Sequence, residues 1–262
     1  MSTARLPRQA GRHLLVTGAG TGIGRAIAVR LAEEGATLSL LARNADRLRA
    51  TAEALAGHPG AVAIASADIR DRASVDAAVA RLVAENGQLH GVVANAGIGG
   101  ANAPGPDDRF DDLVQTNLVG TYSTLRAVQR HLAPGPASRH MVVISSILGR
   151  FGVPGYTGYC ASKAALLGLV RAMALELAGE EVLVNAVCPG WVDTEMAREG
   201  IDGMAEAMGI DFAAAKAEAM AAVPLGRMSQ PAHIAGLVAW LLSEDAAGVT
   251  GQGLDMNNGA WM

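Results

Sequence analysis

The feature that most narrows the fold of this chain is a regular exchange between short apolar runs and longer stretches of helical pattern. The apolar runs fall at His13–Thr17, Thr37–Leu41, Ala61–Ala65, Gly91–Ala94, His140–Ser145 and Leu183–Val187. Between them, Ile23–Glu34, Ala45–Ala56, Arg72–Glu85, a long segment at Asp108–His131, and Gly158–Ala178 carry helical periodicity or composition. The runs read as strands buried on both faces, and each parallel connection needs a crossover, which the helices supply. The pattern predicts an α/β fold with a doubly wound parallel sheet.

The rhythm changes after Pro189-Gly190. An Ala- and Met-rich stretch, Thr194–Val223, precedes a helix near Pro231–Leu242 and a last strand around Gly253–Met256. No linker, repeat or low-complexity boundary sets it apart. Residues 1–262 are therefore read as a single domain, with 194–223 an insertion that covers the site. Met196, Met204, Met208 and Met220 read mostly as core fillers, although flexible thioethers also suit an adaptable cover.

Half of the 262 residues are hydrophobic, enough for a substantial core, and the net charge of −4 is spread without basic clusters. That distribution excludes nucleic acid and anionic membranes as partners. The start, Met1 to Arg8, leads into no apolar h-region, and no apolar stretch is long enough to span a bilayer. A soluble cytoplasmic protein is expected. Cys160 and Cys188 have neither zinc-site nor CxxC spacing, so no disulfide framework and no metal site are expected. Cys160 reads as a small buried hydrophobe, not as a nucleophile.

Two local patterns carry chemistry. Thr17-Gly18-Ala19-Gly20-Thr21-Gly22-Ile23-Gly24 sits where the first strand passes to the first helix. Glycines there permit the turn and let backbone and helix N-terminus approach a pyrophosphate. Tyr159 and Lys163 stand four apart on a helix, which brings a phenol and an ammonium to one face. A cation beside the phenol favours phenolate and would lower its pKa from about 10 towards neutrality.

The TGxxxGxG spacing together with Tyr159 and Lys163 resembles the short-chain dehydrogenases/reductases, from about Leu14 to Gly259. Further landmarks follow in order: Asn95-Ala96-Gly97, Asn117, Ser145-Ser146, and Pro189-Gly190-Trp191-Val192-Asp193-Thr194. The resemblance implies a single-domain Rossmann fold, an oxidoreductase acting on a carbonyl or alcohol, and a catalytic tetrad of Asn117, Ser146, Tyr159 and Lys163. Tyr159 would exchange a proton with the substrate oxygen and Ser146 would hold that oxygen. Lys163 would lower the phenol pKa and bond the nicotinamide ribose, and Asn117 would anchor a proton-relaying water. The family's spacing to the tyrosine selects Ser146 over Ser145.

The same resemblance assigns Gly18, Thr21, Gly22, Ile23, Gly24, Asn95, Ala96, Gly97, Tyr159, Lys163, Pro189, Gly190, Val192 and Thr194 to the cofactor. It adds Asp68 and Ile69 for the adenine, with a helix-capping role for Asp68 as the alternative. NAD-preferring relatives usually carry Asp where Ala42 stands; here Arg43 follows, and a guanidinium suits a phosphate. NADP(H) is expected, with NAD(H) the alternative and a solvated Arg43 the bland one. Ala94 replaces the first Asn of the common Asn-Asn-Ala-Gly, so a side chain linking strands is expected to be missing.

Position alone suggests a substrate pocket walled by Leu148, Phe151, Tyr156, Trp191 and Met196, although Leu148 and Trp191 serve equally well as core residues. Such walls favour an apolar or aromatic ketone or secondary alcohol. A carrier-bound 3-ketoacyl substrate would want a basic docking surface, and none is evident. The competing readings are an NAD-dependent alcohol or dihydrodiol dehydrogenase and a non-catalytic nucleotide-binding regulator. The resemblance also implies a homotetramer associating through the Asp108–His131 and Gly158–Ala178 segments. The apolar tail, Gly259 to Met262, packs either on a neighbouring subunit or within the chain.

Overall fold

Seven strands form one parallel sheet in the order β3-β2-β1-β4-β5-β6-β7. They are β1 (His13–Thr17), β2 (Thr37–Ala42), β3 (Val62–Ser66), β4 (Gly91–Ala94), β5 (Arg139–Ile144), β6 (Val182–Pro189) and β7 (Gly253–Met256). The computed structural model describes residues 8–135 and 138–262. Residues 1–7 lie outside them, and with them most of the Met1–Arg8 segment.

Side chains of successive strand residues face opposite layers, and both layers are apolar. Leu15, Leu41, Val92, Val143 and Val184 pack under α3 (Arg72–Asn86), α5 (Thr121–Gln129) and α6 (Thr157–Leu177). Leu14, Val16, Leu40, Val93 and Val142 pack under α1 (Gly22–Glu33), α2 (Ala45–Ala54) and α9 (Pro231–Leu241). Burial on both faces is why the strands read as continuous apolar runs. The strand order reverses beside β1, where β2 lies on one side and β4 on the other. In such sheets that switch point opens a crevice at the carboxyl ends of the strands.

The Asp108–His131 segment is not one continuous helix. It consists of α4 (Phe110–Val114), a π-helical turn at Gln115–Gly120, and α5. A Cβ on Gly120 would come within 2.7 Å of the Ile69 side chain, so the widened turn brings backbone against the loop after β3. Strand β5 ends at Ile144, one residue short of the expected boundary. Ser145 is buried, and its hydroxyl donates to the Lys163 carbonyl at 2.8 Å.

The 194–223 stretch folds as two helices, α7 (Glu195–Met208) and α8 (Phe212–Ala221), separated by Gly209 at φ 65° and capped by Thr194 and Asp211. Small clusters around Ile201, Ala215, Met220 and Val223 hold them together. Met204 and Met220 join this packing, whereas Met196 and Met208 are 45% and 50% exposed. Core filling thus accounts for two of the four methionines; Met208 is exposed on α7, and half-exposed Met196 turns towards Gly99. Cys188 is buried, but Cys160 is only half-buried. No helix among the described residues is long and apolar enough to cross a membrane.

Candidate active site

The glycine loop is built to exclude side chains. Gly18 and Gly22 have φ of 65° and 52°, a region that glycine adopts without the Cβ penalty. A Cβ on Gly24 would sit 2.2 Å from the Gly18 carbonyl oxygen. Helices α2, α3, α7 and α8 receive side-chain caps from Asn44, Asp71, Thr194 and Asp211. By contrast, α1 has Thr21 at its N-cap with no side-chain cap bond and no acidic residue in its first turn. Open N–H groups and the positive end of the helix dipole suit an anion. The residues therefore fit a dinucleotide whose pyrophosphate lies over this turn.

Asn95 binds β4 to this loop. Its Nδ2 donates to the carbonyl oxygens of Thr17 at 3.0 Å and Gly18 at 3.4 Å. The Thr17 hydroxyl accepts from the backbone N–H groups of Asn95 and Ala96, each at 3.0 Å. Asn95 thus ties β4 to the end of β1 and the glycine loop, while Ala94 has no polar side chain to add a further link.

Past Asn95 the chain runs to Asn117. The Asn117 side chain accepts from Ile98 N–H at 2.9 Å and donates to the Ile98 carbonyl at 3.0 Å and the Ser162 hydroxyl at 3.1 Å. It thus clamps the loop after β4 to α6. A Cβ on Gly97 would lie 2.9 Å from Asn117 Oδ1 and 3.6 Å from Lys163 Nζ. Gly97 therefore forms the narrow floor between the clamp and the cation.

Ser146, Tyr159 and Lys163 converge from two elements. Ser146, buried just beyond β5, starts the short 3-10 turn Ile147–Gly149, and its oxygen accepts from Leu148 N–H at 3.1 Å. Lys163 is buried, and Nζ donates to the Ile144 carbonyl at 2.9 Å while lying 5.7 Å from the Tyr159 ring centroid. Burial lowers the Lys163 pKa to about 8. Burial pushes the Tyr159 phenol up, and the hydrogen bond with Ser146 opposes that rise. The lowering expected from a neighbouring cation does not appear, since Lys163 approaches the ring face and desolvation penalises phenolate.

Arg43 is exposed just after β2. The cap of α3 is Asp71, not Asp68. Asp68 instead holds Arg70, with Nη2 to Oδ2 at 2.7 Å, and Arg70 lowers its pKa. Buried Ile69 follows. Beyond β6, which ends at Pro189, a Cβ on Gly190 would meet Asn257 at 3.0 Å. Val192 is buried, and Thr194 lies against the glycine loop, its Cγ2 3.2 Å from where a Gly22 Cβ would stand. Ile23, in the first turn of α1, is half-buried.

The five pocket residues have different surroundings. Met196 faces Gly99, where an added Cβ would meet its sulfur at 2.9 Å. Leu148 and Tyr156 are half-buried beside Ser146 and Tyr159 in sequence. Trp191 packs into the small clusters of α7 and α8. Phe151 stacks on Trp261 with centroids 5.3 Å apart, while Met262 is fully exposed.

Three supporting residues escaped the sequence reading. Asn102 accepts from Gly158 N–H at 2.9 Å and donates to the Thr157 hydroxyl at 3.0 Å, capping from a distance the helix that carries Tyr159 and Lys163. Ser162, three residues after Tyr159, receives the Asn117 bond. Arg47 stands over Gly20, four residues after Arg43, a spacing that could have drawn attention to it.

Comparison with known proteins agrees with this geometry. Residues 18–260 match the family described as enoyl-(acyl carrier protein) reductase. The chain is 35% identical to 3-oxoacyl-[acyl-carrier-protein] reductase FabG of Vibrio harveyi, over 96% of this chain and 98% of that protein. It is 38% identical to a putative ketoacyl reductase of the monensin polyketide synthase from Streptomyces virginiae, over 95% and 96%. Levodione reductase superposes with a TM-score of 0.88 at 33% identity, covering 96% of this chain and 98% of that one. A variant of actinorhodin polyketide ketoreductase crystallised with NADPH gives 0.88 at 35% identity, covering 95% and 97%. With matches of this extent over a seven-stranded parallel sheet, the chain belongs to the short-chain dehydrogenase/reductase family of oxidoreductases.

Proposed function

We propose that the protein reduces an apolar or aromatic ketone to a secondary alcohol with NADPH. The observation that carries this reading is the convergence of Ser146, Tyr159 and Lys163 beside Gly97, which adjoins the open glycine loop through Ala96 and Asn95. The nicotinamide, when bound, supplies the hydride. Gly18, Gly22, Gly24 and the first turn of α1 would hold the pyrophosphate, Asp68 and Ile69 the adenine, and Arg43 the 2′-phosphate. Pro189, Gly190, Val192 and Thr194 would line the nicotinamide side.

Proton delivery falls to Tyr159. Its phenol stays protonated at neutral pH because burial disfavours phenolate, so a donor is in place before substrate arrives. Ser146 accepts from Leu148 N–H and is hydrogen-bonded to Tyr159, so its O–H lies beside the phenol and would turn to the substrate oxygen when that oxygen arrives. Lys163 places a cation beneath the Tyr159 ring, where it stabilises the phenolate formed when the proton leaves. Asn117 holds Gly97 and α6 in register so that these groups keep their spacing.

A free ketone is preferred over an anionic carrier-bound substrate. Exposed Asp107 precedes α4, exposed Asp111 lies in its first turn, and exposed Glu199, Asp202 and Glu206 lie on α7, so acids outnumber Arg109, which donates to the Gly99 carbonyl at 3.2 Å, and Arg198 of α7. Like charges there would repel an acidic carrier. The family resemblance supports a homotetramer and a cytoplasmic location, and Leu175 of α6, 83% exposed, suits a subunit contact.

The test is an absorbance assay of reduced nicotinamide with a panel of free ketones and a carrier-bound 3-ketoacyl thioester, run with each cofactor. NADPH-dependent reduction of apolar ketones is expected. Turnover with NAD(H) alone, or with the carrier thioester alone, would replace this reading.

A further inference from the structure

A second cation stands beside the glycine loop. Helix α2 is pinned to that loop: the Thr51 hydroxyl donates to the Ala19 carbonyl at 3.1 Å, and a Cβ on Gly20 would meet Arg47 Cβ at 3.0 Å. Arg47 therefore rises directly over Gly20. Arg43 precedes the Asn44 cap of the same helix, so two arginines flank one helix start. Arg47 forms a two-pronged ion pair with Glu195, at 3.1 and 3.4 Å. Its far end is anchored beside Thr194, which touches the Gly22 side of the loop.

We propose that Arg47 is a second reader of the cofactor 2′-phosphate, acting with Arg43, and that Glu195 is the resident counter-ion the phosphate displaces. This rests on the reading of NADP(H) as cofactor. The pair is 51% and 61% exposed at its two side chains, and an exposed pair contributes little stability. A phosphate monoester carries nearly two charges and three acceptor oxygens, a better match for a guanidinium fork than one carboxylate. The glycine-loop position at which some NADP users place a second basic residue holds Thr21, which has no charge. Arg47 meets that need from α2 instead. Asp46, the acid on the same helical turn, is paired with Arg49, which offsets its repulsion of a phosphate. The pyrophosphate has its own donors at the start of α1, so the 2′-phosphate is the group left for Arg47.

Calorimetric titration of the full chain tests this, using NADPH, NADH, 2′,5′-ADP and 5′-AMP against the wild type, Arg47→Ala, Arg47→Lys, Arg43→Ala and Glu195→Gln. Arg47→Ala is expected to weaken NADPH and 2′,5′-ADP by about tenfold or more while leaving NADH and 5′-AMP within about twofold. Arg47→Lys, which keeps the charge and loses the fork, should fall between. Glu195→Gln should tighten 2′,5′-ADP by roughly two- to fivefold, since it removes the competing charge. Equal losses for both cofactors would make Arg47 a pyrophosphate ligand and overturn the proposal. So would an unchanged NADPH affinity in Arg47→Ala when Arg43→Ala has lost it, a result that leaves the NADP(H) reading standing. No tightening in Glu195→Gln would overturn the counter-ion exchange. A wild type that prefers NADH and 5′-AMP would instead overturn the NADP(H) reading itself.

Discussion

Lys163 meets Tyr159 as a cation over a ring, Nζ lying 5.7 Å from the phenol centroid while it donates to the Ile144 carbonyl at 2.9 Å. That geometry separates two effects that sequence spacing merges. The ammonium is close enough to stabilise charge on the phenol once it forms, yet desolvation keeps the resting phenol neutral. A neutral resting phenol suits a proton donor.

Tyr159→Phe keeps the ring and removes the acid. Reduction should slow by about 10²–10⁴-fold, the range for loss of a general acid, with cofactor affinity retained. Steady-state rates and equilibrium cofactor titration measure the two quantities separately, and undiminished turnover would refute the assignment.

Lys163→Met should lose activity and gain stability. The buried ammonium has its pKa lowered from 10.5 to about 8, so its charge is disfavoured in the folded state. Below pH 8 both states hold the proton and the full penalty applies. Between 8 and 10.5 the unfolded chain binds more protons, so wild-type stability rises with pH. The variant should therefore be more stable at neutral pH by on the order of 2–3 kcal/mol, with the gap closing over that window. Urea unfolding across pH 7–11 would show the convergence; a constant gap would argue against a buried charge.

Asn117→Ala removes three hydrogen bonds that join Ile98 to Ser162. Two half-buried backbone groups of Ile98 lose their partner, and destabilisation of about 1–2 kcal/mol is expected together with a fall in kcat. Asn117→Asp should not rescue it, since a carboxylate would face the Ile98 carbonyl without a donor. Thermal unfolding and kcat together distinguish this clamp from a residue that only fills space.

Gly24→Ala places a methyl 2.2 Å from the Gly18 carbonyl and 2.5 Å from Asn95 Nδ2. Relief requires movement of backbone that forms the glycine loop. A cost of about 1–3 kcal/mol and parallel loss of affinity for both nicotinamide cofactors should follow. Cofactor binding at wild-type strength would mean that the loop is not the pyrophosphate cradle.

Acid should destabilise the fold through the amino ends of the strands. Burial, reinforced by the charge of Arg12, lowers His140 from 6.5 to about 4, and neither ring nitrogen has a hydrogen-bond partner within 3.5 Å among the described residues. The unfolded chain therefore binds more protons between those values, and stability falls as pH drops from 6.5 towards 4. The contribution of His140 is about 2–3 kcal/mol. His140→Asn should flatten that slope in pH-dependent urea unfolding, and an unaltered slope would assign the effect to other groups.

The sheet, its parallel sense and its crossovers were legible in the sequence because both depend on local pattern. Strand residues such as Leu14, Leu15 and Val16 are apolar on both faces, and the helices between them carry their own caps and periodicity. Tyr159, Lys163 and the glycine loop were equally readable, since four-residue spacing and a strand-to-helix turn are short-range features. Tertiary structure alone decided what joins residues distant along the chain. It let Asn95 tie β4 to the carbonyl of Thr17, and it had Asn102 cap a helix that begins at Thr157. It turned Asp68 towards Arg70, and it set Arg47 against Glu195 across the glycine loop. Each of these is one polar contact chosen among many side chains of suitable chemistry, and the choice depends on which groups the folded backbone brings within about 3 Å of each other.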